Sequence, residues 1–160
     1  MQIKTADLCD EHAADVRVAA PIFRDYGGNM AFKGPVSTVQ VYEDNVLVRA
    51  ALEESGAGRV LVVDGGGSLG CALVGDLLAA LAQRNGWAGL VVHGCIRDSA
   101  TVARLAIGVK ALATNPLRSA KLGAGARDVP VSFAGLTFTP GHYLYADEDG
   151  IIVAERALEL

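Results

Sequence analysis

Two short runs of apolar residues constrain the fold more than any other feature of this sequence. Residues 60–63 and 89–93 are rich in valine and leucine and carry no acidic or basic charge, as is typical of strands buried on both faces of a sheet. Residues 77–84 lie between them, have helical spacing and end at Asn85-Gly86. Strand, helix and strand in this order predict a βαβ unit, whose right-handed crossover makes the two strands parallel.

Further elements are expected on both sides of this unit. The predicted additional helices are residues 7–14, 46–55 and 99–105, with Ser99 capping the last. The predicted additional strands are residues 35–42, 109–113, 131–137 and 142–154, the last two broken by Gly135, Pro140-Gly141 and Asp149-Gly150. These turns favour an antiparallel or mixed C-terminal region. The expected fold class is α/β, with a compact single domain and a parallel βαβ core.

Composition excludes several classes of protein. A chain of 160 residues, 51% apolar and 20% charged, is expected to form one domain over residues 1–160. The net charge of -4 is scattered and includes no block of lysine or arginine, so nucleic acid is not expected as a direct partner. Three widely spaced cysteines, no signal-peptide pattern and no apolar run of about 18 residues predict a cytoplasmic protein without a membrane span.

A glycine-rich loop follows the first buried strand. Residues 65–70 match the dinucleotide-binding pattern GxGxxG. A dinucleotide site also needs an acidic residue near the end of the next strand to hold a ribose, and His93-Gly94 occupies that position. The better interpretation is a turn that lets the backbone pass close to another chain or to a ligand.

Stronger chemistry lies in two loops at the carboxyl edge of the expected sheet. The first contains Gly75 and Asp76 at the start of the helix, and the second contains Arg97-Asp98 after the next strand. Ligands bind at this edge of parallel sheets, because loops converge there and helix N-termini point free N–H groups toward it. The N–H groups of Leu77 and Leu78 could therefore hold the carboxylate of a small organic acid.

The charges of these loops suit a metal and an anion together. Mg²⁺ takes oxygen ligands, keeps several waters and often needs only one or two carboxylates, which Asp98 and Asp76 could supply. Arg97 offers a planar fork of donors for a carboxylate or an enolate oxygen. The alternative is structural: Arg97 and Asp98 would form a surface ion pair or cap a helix, and Asp76 would complement the helix dipole.

Other polar residues are expected to have structural roles. His93 is interpreted as a packed or hydrogen-bonded histidine and Cys95 as a small apolar filler. Trp87, Tyr143 and Tyr145 are expected in the core or at a subunit contact. A Schiff-base mechanism would need a lysine at the site. The four lysines, Lys4, Lys33, Lys110 and Lys121, show no sequence placement near the two loops.

Residues 58–98 resemble the RraA-like family, which includes metal-dependent 4-hydroxy-4-methyl-2-oxoglutarate aldolases that also decarboxylate oxaloacetate. The aldolases carry an aspartate, twenty intervening residues and then Arg-Asp, and this chain has that spacing from Asp76 to Arg97-Asp98. The resemblance extends over nearly the whole chain, including residues 5–10 and 142–147. The same family includes regulators that bind the endonuclease RNase E.

The resemblance implies a role for each site residue. Gly75, Asp76, Leu77, Leu78 and Arg97 would contact a small 2-oxo acid substrate, with Arg97 and Asp76 catalytic. Asp98 would bind a divalent cation, Mg²⁺ or Mn²⁺, and Asp76 would orient a water on it.

The family resemblance also implies a ring-shaped homotrimer with the site at a subunit boundary. Longer aldolases add an acidic residue from a neighbouring subunit's C-terminal extension. This chain stops at Leu160, so Glu148 or Glu155 would have to substitute for that residue.

Two functions follow from the resemblance. The leading hypothesis is a class II, divalent-metal lyase that forms the enolate of pyruvate from 2-oxo dicarboxylic acids. The alternative is a non-catalytic regulator that binds and inhibits RNase E, which has no chemical need for the aspartate and Arg-Asp set. Some relatives are labelled menaquinone methyltransferases, but this chain is short for that fold and offers no acid for a cofactor ribose.

Overall fold

The computed structural model describes residues 2–160, which form one mixed α/β domain. Its helices are α1 (Thr5–Glu11), α2 (Val46–Leu52), α3 (Asp76–Arg84) and α4 (Ser99–Val102). Its strands are β1 (Val16–Val18), β2 (Arg24–Asp25), β3 (Phe32–Gln40), β4 (Val60–Asp64), β5 (Ala72–Val74), β6 (Gly89–Ile96), β7 (Gly108–Thr114), β8 (Ala126–Arg127), β9 (Val131–Phe133), β10 (Leu136–Phe138), β11 (Tyr143–Asp147) and β12 (Gly150–Ala154).

The main sheet has the order β1-β12-β11-β3-β4-β6-β7-β2. Strands β3, β4, β6 and β7 are mutually parallel, whereas β11, β12, β1 and β2 join antiparallel. In the pair β4 and β6, Val60 lies opposite Gly89 and Asp64 opposite His93. The predicted βαβ unit, the third parallel strand and the mixed C-terminal region are all confirmed.

Two apolar layers explain the apolar runs 60–63 of β4 and 90–92 of β6. Leu61 and Val63 point to one side, where they pack with α2 and α3, and Val60 and Val62 point to the other, where Phe138 of the β9-β10 hairpin lies. These four residues of β4 are fully buried. Because both faces of the strand are covered, neither face needs polar residues.

The side chain of Phe32, at the start of β3, packs over neighbouring strands of the sheet. Its ring lies over two glycines, since a Cβ added at Gly89 or Gly108 would lie 2.3 or 2.0 Å from a ring carbon. Packing therefore requires glycine at these positions of β6 and β7. Because glycine has no side chain, the aromatic ring can fill the space above the sheet.

Three local predictions need correction. The stretch between β4 and α3 is not all loop, because β5 pairs with β6 within it. Strand β6 continues to Ile96, three residues beyond the predicted end at His93. Helix α4 ends at Val102, and Asp98 rather than Ser99 occupies its N-cap. The Asp98 carbonyl accepts from the N–H groups of Thr101 and Val102, so it starts the helix through its backbone.

Candidate functional site

Strand β5 brings the two predicted loops together. It pairs with the end of β6 in parallel, with Ala72 opposite Cys95 and Val74 next to Ile96. Gly75 and Asp76 leave β5 at the point where Arg97 leaves β6, and the Arg97 N–H donates to the Val74 carbonyl at 2.9 Å. Residues about twenty positions apart in sequence thus meet at one edge of the sheet, as predicted.

Gly75, Asp76 and Asp98 are in direct contact. The Asp76 N–H donates to Asp98 Oδ2 at 3.2 Å. A Cβ added at Gly75 would lie 2.8 Å from the same oxygen and 3.3 Å from Arg97 Cγ. The backbone of Gly75 is extended, with φ at -122°. A glycine is needed here because a side chain would collide with Asp98 and Arg97, and not because the backbone angle is unusual.

The first turn of α3 supplies free donors. The helix begins at Asp76, so the N–H groups of Leu77 and Leu78 have no acceptor within it. The Leu78 side chain is buried and anchors this turn, whereas that of Leu77 is 77% exposed. The turn therefore presents two N–H groups and a positive helix end beside Arg97 and Asp98.

Arg97 and Asp98 are held by backbone geometry, not by each other. Among residues 2–160, no ion pair links Arg97 to a carboxylate, so its guanidinium is available to an anion. Asp98 has φ at 55° and ψ at 38°, a left-handed conformation rare outside glycine. Such strained residues cluster at functional sites. The predicted alternative of a surface ion pair between Arg97 and Asp98 is wrong. The other parts of that alternative are found, since Asp98 occupies the N-cap of α4 and Asp76 lies in the first turn of α3.

These groups line a cleft of about 310 Å³ whose opposite wall the sequence analysis did not identify. That wall consists of Asn45 and Arg49 from the start of α2 and of Arg118 and Lys121 from the segment after β7. The expectation that no lysine lies near the two loops is wrong for Lys121, because the fold places this residue in the lining of the cleft. No periodicity or motif marks this segment, so only the tertiary structure could have found it.

The opposite wall has its own hydrogen bonds. Asn45 Nδ2 donates to the Leu73 carbonyl at 3.1 Å, and Lys121 Nζ donates to Asn45 Oδ1 at 3.0 Å. Arg49 pairs with Glu53 at 3.4 Å across one helical turn. Arg118 has no carboxylate partner in the described part of the chain. The cleft is therefore basic on the far wall and acidic at Asp76 and Asp98, an arrangement suited to an anion bound beside a cation.

The donor set fits a lightly coordinated hard cation. Residues 2–160 contain no group of three or more histidine, cysteine, aspartate or glutamate side chains that could enclose a metal. Asp98 is exposed and uses Oδ2 for the Asp76 N–H, which leaves Oδ1 for a ligand. One or two carboxylates plus water and substrate oxygens satisfy Mg²⁺. Neither Glu148 nor Glu155 lines the cleft of its own chain.

The remaining candidates have structural roles. The His93 ring stacks on Phe133, with centroids 4.5 Å apart, and its Nδ1 lies 3.6 Å from Asp64 Oδ1, which confirms a packed histidine. Cys95 is fully buried, as predicted, and burial raises the pKa of its thiol. Trp87 and Tyr145 are buried in the core, also as predicted.

The glycine-rich loop is a structural turn. A dinucleotide fingerprint opens a helix, but strand β5 follows residues 65–70. A Cβ at Gly65 would lie 2.8 Å from the His93 carbonyl oxygen, so the backbone of this loop passes close to β6. The preferred interpretation of the loop, a turn for close backbone approach, agrees with this packing.

The helices are short. Within the described residues, none is both long and apolar enough to cross a membrane.

Known proteins match this chain over nearly its whole length. The model of the RraA-like family, described as Aldolase/RraA, matches residues 5–153. A protein of Alkalilimnicola ehrlichii named "Putative 4-hydroxy-4-methyl-2-oxoglutarate aldolase" is 61% identical over 158 residues, covering 99% of this chain and 98% of its own.

Two solved structures have the same fold. One, described as S-adenosylmethionine: 2-dimethylmenaquinone methyltransferase from Geobacillus kaustophilus, has a TM-score of 0.96 and 52% identity, covering 98% of this chain and 97% of its own. The other, described as the RNA-processing inhibitor RraA from Thermus thermophilis, has a TM-score of 0.95 and 46% identity, covering 99% and 96%. The family match and these identities confirm the resemblance found in the sequence: this chain belongs to the RraA-like family.

Proposed function

We propose that this protein is a divalent-metal-dependent lyase that cleaves 4-hydroxy-4-methyl-2-oxoglutarate to pyruvate and decarboxylates oxaloacetate. One observation carries the proposal: Arg97, Asp98, Asp76 and the free N–H groups of α3 line the same small cleft. The aldolase name of the Alkalilimnicola relative supports it. Both reactions leave the enolate of pyruvate, so one site can serve both.

The 2-oxo acid end of the substrate binds between α3 and Arg97. Its carboxylate accepts from the N–H groups of Leu77 and Leu78, where the helix dipole favours negative charge. The Arg97 guanidinium donates to the oxygen on C2, which becomes the enolate oxygen. Because Arg97 has no competing carboxylate, its donors are directed to the substrate, and stabilisation increases as charge develops on that oxygen.

Asp98 and Asp76 have different roles in the proposed reaction. Asp98 would hold the cation, directly or through water, with Gly75 leaving room for its carboxylate. When bound, a divalent cation supplies Lewis acidity that stabilises negative charge on the 2-oxo acid. Asp76 orients a water that accepts the substrate's hydroxyl proton. The left-handed backbone at Asp98 keeps its carboxylate at the start of α3.

The bond changes balance without an added reactant. In 4-hydroxy-4-methyl-2-oxoglutarate, the C4 hydroxyl loses its proton, the C3–C4 bond breaks, and its electron pair passes to C3 and the C2 oxygen. One pyruvate leaves, and the enolate takes a proton at C3 to become the second. In oxaloacetate the C3–C4 bond breaks with release of carbon dioxide, and the same enolate is protonated.

The test is a steady-state assay of pyruvate release from both substrates with and without Mg²⁺ or Mn²⁺. We expect activity to require the metal and to be abolished in Asp98→Ala. Because the Asp98 side chain is exposed, its removal leaves the fold intact, and circular dichroism checks this. Equal rates in Asp98→Ala, or in excess chelator, would refute the metal-dependent reaction.

We also propose that the chain works as a ring-shaped homotrimer with the cleft at a subunit boundary. Leu77 lines the cleft and is exposed in the single chain. Three other large apolar side chains are also exposed, namely Leu69, Leu117 and Leu122, of which the last two flank Arg118 and Lys121 in sequence. Exposed apolar side chains favour an interaction surface. Light scattering after size exclusion should give three times the chain mass of 16.6 kDa, and a monomer would contradict the trimer.

A second candidate function is regulation of RNase E. The observation that favours it is the likeness to the structure described as an RNA-processing inhibitor. Inhibition of RNase E cleavage by wild-type protein and equally by Asp98→Ala would support a binding role separate from the cleft. Absence of inhibition at micromolar protein would exclude it.

A further inference from the structure

Asp44 is a buried carboxylate outside the cleft that holds two parts of its far wall. It is 2% exposed. Its Oδ1 accepts from the Val46 N–H at 3.0 Å, at the start of α2. Its Oδ2 accepts from the N–H groups of Leu122 and Gly123 at 2.7 and 3.0 Å. One side chain therefore joins the helix start to the segment that follows Lys121.

Backbone hydrogen bonds fix the middle of the segment 118–123, where the Ala120 N–H donates to the Glu43 carbonyl at 2.9 Å and the Asn45 N–H donates to the Ala120 carbonyl at 3.4 Å. The end of the segment, at residues 122 and 123, is held by Asp44. The segment forms only isolated bridges, from Arg118 to Ala72 and from Ala120 to Asp44, rather than a strand. The Leu122 side chain is 87% exposed and so is not anchored by packing. Hydrogen bonds to charged acceptors are stronger than hydrogen bonds to neutral acceptors, so the two bonds donated to Asp44 Oδ2 are major restraints on residues 122 and 123.

The charge of Asp44 is maintained by the same contacts. The Val46 N–H has the largest effect and lowers the pKa of Asp44, burial opposes it, and the N–H groups of residues 122–124 lower the pKa further, so that it is lowered overall. The group is therefore ionised at neutral pH and attracts backbone donors rather than a side-chain cation. Among the described residues, Asp44 forms no ion pair.

We propose that Asp44 is a positioning residue that determines substrate affinity: its carboxylate holds the segment 118–123 so that Arg118 and Lys121 face the second carboxylate of a dicarboxylic substrate. This rests on the proposed function, in which Arg97 and α3 bind the 2-oxo acid end. Arg118 and Lys121 lie on the opposite wall, where the other end of such a substrate would reach.

The test separates affinity from bond cleavage. In Asp44→Asn an amide group replaces one of the two accepting oxygens, so either Val46 or the 122–123 segment loses its acceptor. We expect KM for oxaloacetate to rise about tenfold with kcat within about threefold, because binding of the second carboxylate is lost and enolate stabilisation is kept. Exchange of the pyruvate methyl protons with deuterated water, which needs no second carboxylate, should be unchanged.

A second variant and a matched control exclude a purely structural effect. Asp44→Ser keeps a hydroxyl acceptor for the Val46 N–H, as helix caps do, but is too short to reach the segment as well. It should raise KM similarly, and it replaces Asp44→Asn if that variant does not fold. Asp147→Asn removes another buried carboxylate far from the cleft, and it should lower Tm without changing KM.

A double-mutant cycle tests whether Asp44 affects KM by positioning Arg118 and Lys121. The variant Arg118→Met with Lys121→Met changes only exposed side chains and should itself raise KM. Adding Asp44→Asn to it should then change KM by less than about twofold, since the residues being positioned are absent. Unchanged KM in the Met variant, or full multiplication of the two effects, overturns the proposal. A wild-type protein without decarboxylase or exchange activity refutes the proposed function instead.

Discussion

Gly75→Ala should strongly reduce activity while leaving the fold intact. The added Cβ would lie 2.8 Å from Asp98 Oδ2, and ordinary van der Waals contact begins near 3.4 Å, so the carboxylate must move by at least about 0.6 Å. The moved atom is the end of an exposed side chain, and the extended backbone at Gly75 accepts alanine. The cost in folding stability is therefore small.

The cost to activity is larger, because the displaced oxygen is the one that accepts the Asp76 N–H. Misplacement of a catalytic group by about 1 Å can reduce rates about 100-fold. A shift of about 0.6 Å should then lower kcat/KM by about 10- to 100-fold, equivalent to about 1.4–2.7 kcal/mol of transition-state stabilisation. We expect the concentration of Mg²⁺ needed for half-maximal activity to rise as well.

The assay compares oxaloacetate decarboxylation in Gly75→Ala with that in Gly70→Ala. The control adds the same methyl group beside another carboxylate, 2.5 Å from Glu43 Oε2, outside the cleft lining. It should keep kcat/KM within about threefold of wild type. If Gly75→Ala retains wild-type kcat/KM, the position of Asp98 is not critical and the proposed metal site is refuted.

Three further predictions follow. Arg97→Lys should lower kcat at least about tenfold in the same assay, because an ammonium lacks the planar fork of donors; undiminished kcat would contradict its role at the enolate. Gly108→Ala should lower the free energy of unfolding by about 1–3 kcal/mol in urea titrations, because its Cβ would overlap the Phe32 ring. Burial alone would raise the pKa of Asp147, but hydrogen bonds from Thr5, Asp149 and Gly150 lower it overall. A lowered folded-state pKa stabilises the protein above the unfolded-state value of about 3.9, and this stability is lost as pH falls through the folded-state pKa. The Tm difference between wild type and Asp147→Asn should therefore shrink between pH 6 and about pH 3, and a constant difference would refute the linkage.

The descriptions of related structures show that the function has to be inferred from the site and not from the fold. Structures with TM-scores of 0.96 and 0.95 to this chain are described as a methyltransferase and as an RNA-processing inhibitor. A shared fold can host unrelated functions. Under the proposed function, Arg97 and Asp98 beside the start of α3 would supply the groups for enolate chemistry.

Local sequence patterns determined the core of the architecture. The apolar, valine-rich runs in β4 and β6 predict strands covered on both faces, and the helical spacing of α3 between them predicts a parallel crossover. The loops that follow parallel strands share one edge of the sheet. That rule alone predicted that Asp76 would lie close to Arg97 and Asp98.

Only the tertiary structure decided how close these groups come and what faces them. Strand β5 has three residues, too few to show a period, yet its pairing with β6 fixes the contact between the Asp76 N–H and Asp98. Segment 118–123, which carries Arg118 and Lys121, has no regular structure, and long-range hydrogen bonds such as those to Asp44 position it. A sequence pattern records which face of an element is buried. It does not record hydrogen bonds between residues nearly eighty positions apart, because such bonds leave no local periodicity.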